Sequence, residues 1–158
     1  LSITHLLALK VFNNDINVDN EKGENLFEIG SFEDIITLLN SIMHSVPYDN
    51  YPILSEAAVQ NSIRLYLAGA GMEAKSEVLE AKGRADLILE TDNRRIVFEL
   101  KLAQNDEEAK IKLKEAVEQI KSRDYGNILP VKKELIRIAA VFNADTKVRA
   151  FKEFENVM

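Results

Sequence analysis

Arg84-Ala85-Asp86-Leu87-Ile88-Leu89-Glu90, then Thr91-Asp92-Asn93-Arg94, then Arg95-Ile96-Val97-Phe98-Glu99-Leu100-Lys101 is the stretch that decides the fold. Two short apolar runs joined by a polar turn read as a β-hairpin. Side chains of a strand alternate between faces. Glu99 and Lys101 therefore share one face, while Phe98 and Leu100 point into apolar cover on the other. A carboxylate and an ammonium beside Val97 and Phe98 are costly to bury without a purpose or a partner. Asp86 is a further charge in an apolar strand, 13 residues before Glu99. A hairpin of that length brings the two acids opposite or diagonal to each other.

Two readings of this cluster stay open on spacing alone. One is a structural ion-pair cluster between strands. The other is a metal site. Two carboxylates with the Leu100 backbone carbonyl nearby offer the hard oxygen ligands that Mg²⁺ prefers. Lys101 is then placed to orient or deprotonate a bound water, or to neutralise charge on a phosphate.

The flanking chain supplies the rest of the architecture. Upstream, residues 1–12 read as a short apolar element and 13–25 as a polar loop. Asp15, Asn17 and Asp19 have calcium-loop spacing, but Asn20 and Leu26 stand where glycine and glutamate are needed. Ser31 opens a helix with Glu33 and Asp34 in its first turn, where acids complement the dipole. A break at Ser45 to Pro52 precedes a second helix, about Leu54 to Ala68, stopped by Gly69-Ala70-Gly71. Residues 72–80 form a strand before the hairpin. Downstream come a helix over 106–123, a nearly continuous apolar strand over 134–142 fit for a doubly covered position, and a last amphipathic helix over about 147–156. The expected order is α-α-β-β-β-α-β-α. The expected organisation is a helical N-terminal extension, 1–50, packed on a core of 51–158.

Composition narrows the chemistry. With 158 residues, 46% hydrophobic and 29% charged, the chain suits one globular domain with a real core. It has no cysteine, so disulfides, thiolate zinc and a cysteine nucleophile are excluded, and the expected setting is cytoplasmic. His5 and His44 are isolated, which argues against a histidine-rich metal site. No apolar run reaches the roughly 18–20 residues that span a bilayer. A net charge of −6 argues against a passive DNA-coating protein but not against a metal site built from acids. The chain opens on Leu1 rather than Met, which reads as a piece of a longer protein.

Gly83-Arg84-Ala85-Asp86, Glu99-Leu100-Lys101 and the helix end Gln119-Ile120 with Tyr125, preceded by Glu56 and Glu77, together resemble the PD-(D/E)XK nuclease superfamily. It is especially similar to the nuclease-like domain at the C-terminus of predicted AAA-ATPase-like proteins of bacteria, and the resemblance covers about residues 25–145. The resemblance implies an α/β restriction-endonuclease-like core with a mixed sheet flanked by helices. It implies a nuclease hydrolysing phosphodiester bonds, in DNA, with Mg²⁺ (Mn²⁺ substituting). Asp86 and Glu99 match the metal-binding acids, with the Leu100 carbonyl beside them, and Lys101 matches the catalytic lysine. Glu56 matches a first-helix acid that approaches the metal in some branches. Gln119, Tyr125, Arg84 and Glu77 match the substrate side. An ATPase-like region of the same longer protein is the implied companion. Relatives often carry Tyr-His after the helical glutamate, where this chain has Val59-Gln60, so no helper role carries over there. The alternative is a catalytically inactive module of the same fold, for binding, regulation or oligomerisation, which the acidic charge favours.

Overall fold

The computed structural model describes residues 26–72, 74–80, 83–123 and 133–158, with the side chains of 74–80 and 83–85 left aside. A helical turn over 26–29 leads into helix α1 (Phe32–His44) and helix α2 (Glu56–Gly69). Strands β1 (Ala74–Glu80), β2 (Gly83–Glu90) and β3 (Arg94–Ala103) follow, then helix α3 (Asp106–Arg123) and strands β4 (Glu134–Asn143) and β5 (Ala150–Asn156). The upstream elements expected over 1–25 lie outside the described residues.

Local chemistry sets these boundaries. Ser31 caps α1 through a reciprocal capping box with Asp34, at 3.1 and 3.0 Å. Ser55 caps α2 by accepting from the Ala58 amide. Gly71, at φ +79, lets the chain leave α2 in the left-handed region that glycine tolerates. Asn105 caps α3 by accepting from Glu108 N at 2.8 Å. Thr91 closes the β2–β3 hairpin, its amide bonding the Arg94 carbonyl and its hydroxyl the Arg94 amide.

The five strands form one sheet in the order β1-β2-β3-β4-β5. β3 and β4 are parallel; every other neighbouring pair is antiparallel. The parallel pair is joined through α3, the long connection such a pairing needs. One face, carrying Ile96, Phe98, Leu100, Ile138 and Phe142, packs in a single buried cluster with Leu39, Ile42, Ile63 and Leu67 of α1 and α2. The other face, carrying Ile88, Val97, Ala139 and Val141, lies under Ala109, Ala116 and Ile120 of α3. The alternation read in Phe98-Glu99-Leu100-Lys101 is therefore realised, with Glu99 and Lys101 on the α3 face.

The final helix expected over about 147–156 is instead strand β5. The cause is a register shift opposite Val141 and Phe142: Phe151 pairs with Phe142, Glu153 with Val141 and Phe154 with Ala140. Lys152 is the extra residue of this bulge. It returns Phe151 and Phe154 to the same sheet face, so a spacing of three imitates a helical stripe. The edge strand is anchored by Asn40, whose amide pairs with both the Phe151 amide (2.7 Å) and the Phe151 carbonyl (3.1 Å). No described helix is long and apolar enough to cross a membrane.

Candidate active site

β3 carries the centre of the site at the point where its pairing with β2 gives out. The antiparallel register runs through Leu87–Phe98, so its continuation sets Asp86 across from Glu99. There the ladder is replaced by a side chain: Asp86 Oδ2 accepts the Leu100 amide at 2.8 Å. The N–H and C=O of one strand residue point to the same side. The Leu100 carbonyl therefore faces β2 as well, next to Asp86.

Glu99 is 1% exposed. Its neighbour on β4 is Ala139, fully buried and without a polar atom to offer. Lys101 reaches Glu99 Oε1 at 3.4 Å and gives a hydrogen bond to Gln119 Oε1 on α3 at 3.1 Å. Glu99 Oε2 is buried with no hydrogen-bond partner among the described residues. One other buried atom shares that condition, Arg64 Nε, but its guanidinium still bonds Asn61 through Nη2. Burial and then the nearby Asp86 carboxylate push the Glu99 carboxyl up to about 7, against the opposing pull of Lys101 and Arg123.

This donor set fits a divalent cation. Two carboxylates and a carbonyl are the few protein oxygens that Mg²⁺ takes while keeping several waters. The orphaned Glu99 oxygen is an acceptor waiting for a positive partner. Among the described residues no three His, Cys, Asp or Glu side chains gather to hold an ion, so the acids assembled here are two.

The structure distributes the other expected residues unevenly. Gln119 is brought to Lys101. Glu56 is not drawn into the acid pair; it starts α2, which covers the opposite sheet face. Glu77 falls in β1 between Ser76 and Val78, whose partners flank Asp86, and Arg84 falls in β2. The side chains of Glu77 and Arg84, and the whole of Tyr125, lie outside the described residues. Arg123 was missed by sequence reasoning. It sits one helical turn beyond Gln119 on α3 and acts electrostatically on Glu99. The spacing of four from Gln119 was the available signal.

A family model described as the PD-(D/E)XK nuclease superfamily matches residues 54–152. The chain belongs to this superfamily. No curated protein sequence matches it. The match takes in the acid pair, Lys101 and Gln119, and it runs from the start of α2 into β5. The five-stranded mixed sheet with helices on both faces is consistent with a PD-(D/E)XK core. Membership places the protein among nucleases, whose substrates are nucleic acids.

Proposed function

We propose that this domain is a divalent-metal-dependent nuclease that hydrolyses phosphodiester bonds in DNA. The observation that carries the reading is the buried Glu99 oxygen without a hydrogen-bond partner among the described residues, on a carboxylate that feels the charge of Asp86 and has Lys101 alongside. Asp86, Glu99 and the Leu100 carbonyl would hold Mg²⁺, or Mn²⁺ in its place. When bound, the ion supplies an acidified water and charge stabilisation at the scissile phosphate.

The protein's own groups do the remaining work. Asp86 fixes the end of β3 by accepting the Leu100 amide, which orients the neighbouring carbonyl. Lys101 points its ammonium at the space shared by Glu99 and Gln119, where it can orient the attacking water or neutralise the phosphate. Gln119 holds that ammonium in place and can exchange it for substrate. Arg123 adds positive charge at the helix end beside the site. Tyr125, Arg84 and Glu77 enter the proposal through family resemblance alone, toward the substrate, while Glu56, whose helix covers the opposite sheet face, is left out of the metal site. The same resemblance supports an ATPase-like region as companion in a longer chain. The cysteine-free composition supports a reducing, cytoplasmic setting.

The test is cleavage of supercoiled, linear and single-stranded DNA, with an RNA for comparison, in Mg²⁺ and Mn²⁺. Cleavage that EDTA stops and Asp86→Ala abolishes is expected. Intact substrates with the wild type, or equal cleavage by Asp86→Ala, would overturn the proposal.

A further inference from the structure

A cleft opens at the carboxyl ends of the parallel strands β3 and β4, on the face away from Glu99. Tyr48, Pro52, Leu54, Gln104, Phe142 and Arg149 line it, and it encloses about 190 Å³. Gln104 directly follows β3, and Phe142 lies near the end of β4. That volume is well below the roughly 300–1,000 Å³ of a whole small-molecule site. It is room for a single group. In open α/β sheets, ligands gather outside the carboxyl ends of the strands.

Arg149 defines the chemistry. Its guanidinium stands 4.6 Å from the Tyr48 ring centroid, and Tyr48 is itself stacked on Phe142 and tied to the Met43 carbonyl at 2.6 Å. Among the described residues no carboxylate pairs with this guanidinium. Of the acids that follow β3 and β4 in sequence, Glu108 bonds the Gln104 amide, Asp106 bonds Asn143, and Asp145 bonds the Lys147 amide. The backbone spends conformational freedom to keep Arg149 there. Its φ is +44, in the region that side chains rarely adopt, and its amide is fixed to the Asp145 carbonyl at 3.0 Å. A rigid fork of unpaired N–H groups, stacked on an aromatic ring, is built for an oxyanion held by two bonds.

We infer that this cleft is a phosphate subsite, taken by a backbone phosphate of the nucleic-acid strand that flanks the cleaved bond. The inference rests on the nuclease reading for its ligand.

The experiment is fluorescence anisotropy with a labelled 12-nucleotide strand, in Ca²⁺, across a salt series, with the strand checked intact afterwards. The key variant is Arg149→Gly, which removes the side chain while suiting the positive φ, so the fold is kept. Arg149→Lys keeps the charge but loses the fork. For Arg149→Gly the expected result is roughly ten- to one-hundred-fold weaker binding and a salt slope smaller by about 0.7 to 1. For Arg149→Lys the slope should stay and affinity fall. Wild-type affinity and slope in Arg149→Gly would overturn the inference. So would a mononucleotide competing as well as the strand, which would assign the cleft to free nucleotides. Cleavage in Mg²⁺ is scored in parallel. Cleavage by the wild type with unchanged Arg149→Gly binding overturns this inference alone. No cleavage, with binding lost in Arg149→Gly, overturns the nuclease reading and leaves the subsite standing.

Discussion

Replacing Glu99 by glutamine should make the protein more stable at alkaline pH, and the size of the gain follows from the site. The Glu99 carboxyl is pushed from an ordinary 4.5 up to about 7, first by burial and then by Asp86. A pKa raised on folding means that the folded state holds the proton more tightly than the unfolded chain. The stability tied to that proton is complete below about 4.5 and is lost as pH climbs through about 7. Above pH 8 the wild type carries an ionised, buried carboxylate at a cost of about 3 kcal/mol. Glu99→Gln keeps the shape of the protonated acid and never ionises. The two proteins should be nearly equal in stability at pH 4, diverge between pH 5 and 7.5, and stand about 3 kcal/mol apart at pH 8.5, or roughly 6–12 °C in Tm for a chain of this size. Urea denaturation followed by far-UV circular dichroism at four or five pH values reads this directly, since titrating groups not coupled to Glu99 cancel in the difference. A gap that does not widen with pH, or a wild type that is the more stable at pH 8.5, would refute the account of Glu99. Mn²⁺ supplies the complementary arm: at pH 8.5 it should raise the wild-type Tm and leave Glu99→Gln nearly unmoved.

Asp86→Asn keeps an oxygen for the Leu100 amide but removes a charged ligand, so stability should change by less than about 1 kcal/mol while calorimetric Mn²⁺ affinity falls at least ~10-fold. Lys101→Met should lower cleavage by about 10²–10⁴ in single-turnover assays, with Mn²⁺ binding retained; a fall under ~3-fold would remove Lys101 from the chemistry. Arg94→Met should cost about 2–4 kcal/mol in urea denaturation, because Nη1 bonds the carbonyls of Phe27 at 3.2 Å and Gly30 at 2.7 Å and Nε pairs with Glu134 at 2.9 Å. A cost under about 1 kcal/mol would show that this clamp between the start of the described chain and the hairpin contributes little.

What could be read in the sequence was whatever a strand or helix encodes within itself. Alternation around Glu99 needed only its two neighbours, and the structure places all four residues on the faces that alternation assigns. The Asp86–Glu99 proximity needed only a hairpin of ordinary length. The β5 segment failed for the same reason that the others succeeded. Phe151 and Phe154 belong to one face because of a bulge at Lys152, and the bulge is set by pairing with β4. Nothing local marks it. Likewise, the burial that shifts Glu99 arises only when the strands pair, which brings Ala139, 40 positions later, beside it on β4. Glu56 shows the converse limit. Its place in a motif order says nothing about which sheet face its helix covers, and α2 packs on the face away from Glu99.

The sign of the Glu99 shift bears on the two readings that spacing left open. A structural ion pair stabilises both charges, and its carboxylate titrates below the ordinary range. Glu90, bonded to Arg95 and Lys133 on the surface, behaves that way. Glu99 has a lysine in reach and moves upward instead. Lys101 meets one of its oxygens at 3.4 Å and shares its ammonium with Gln119, while the other oxygen meets nothing among the described residues. A pair selected for stability would close that gap or replace both charges with apolar side chains of similar volume. About 3 kcal/mol at alkaline pH is a large fraction of the 5–15 kcal/mol that holds a domain together. An arrangement this expensive would become favourable with a cation held by Asp86 and Glu99, because the repulsion between the acids would give way to shared attraction. The site is poorly made as an ion-pair cluster, and that supports the proposed metal reading over the structural one.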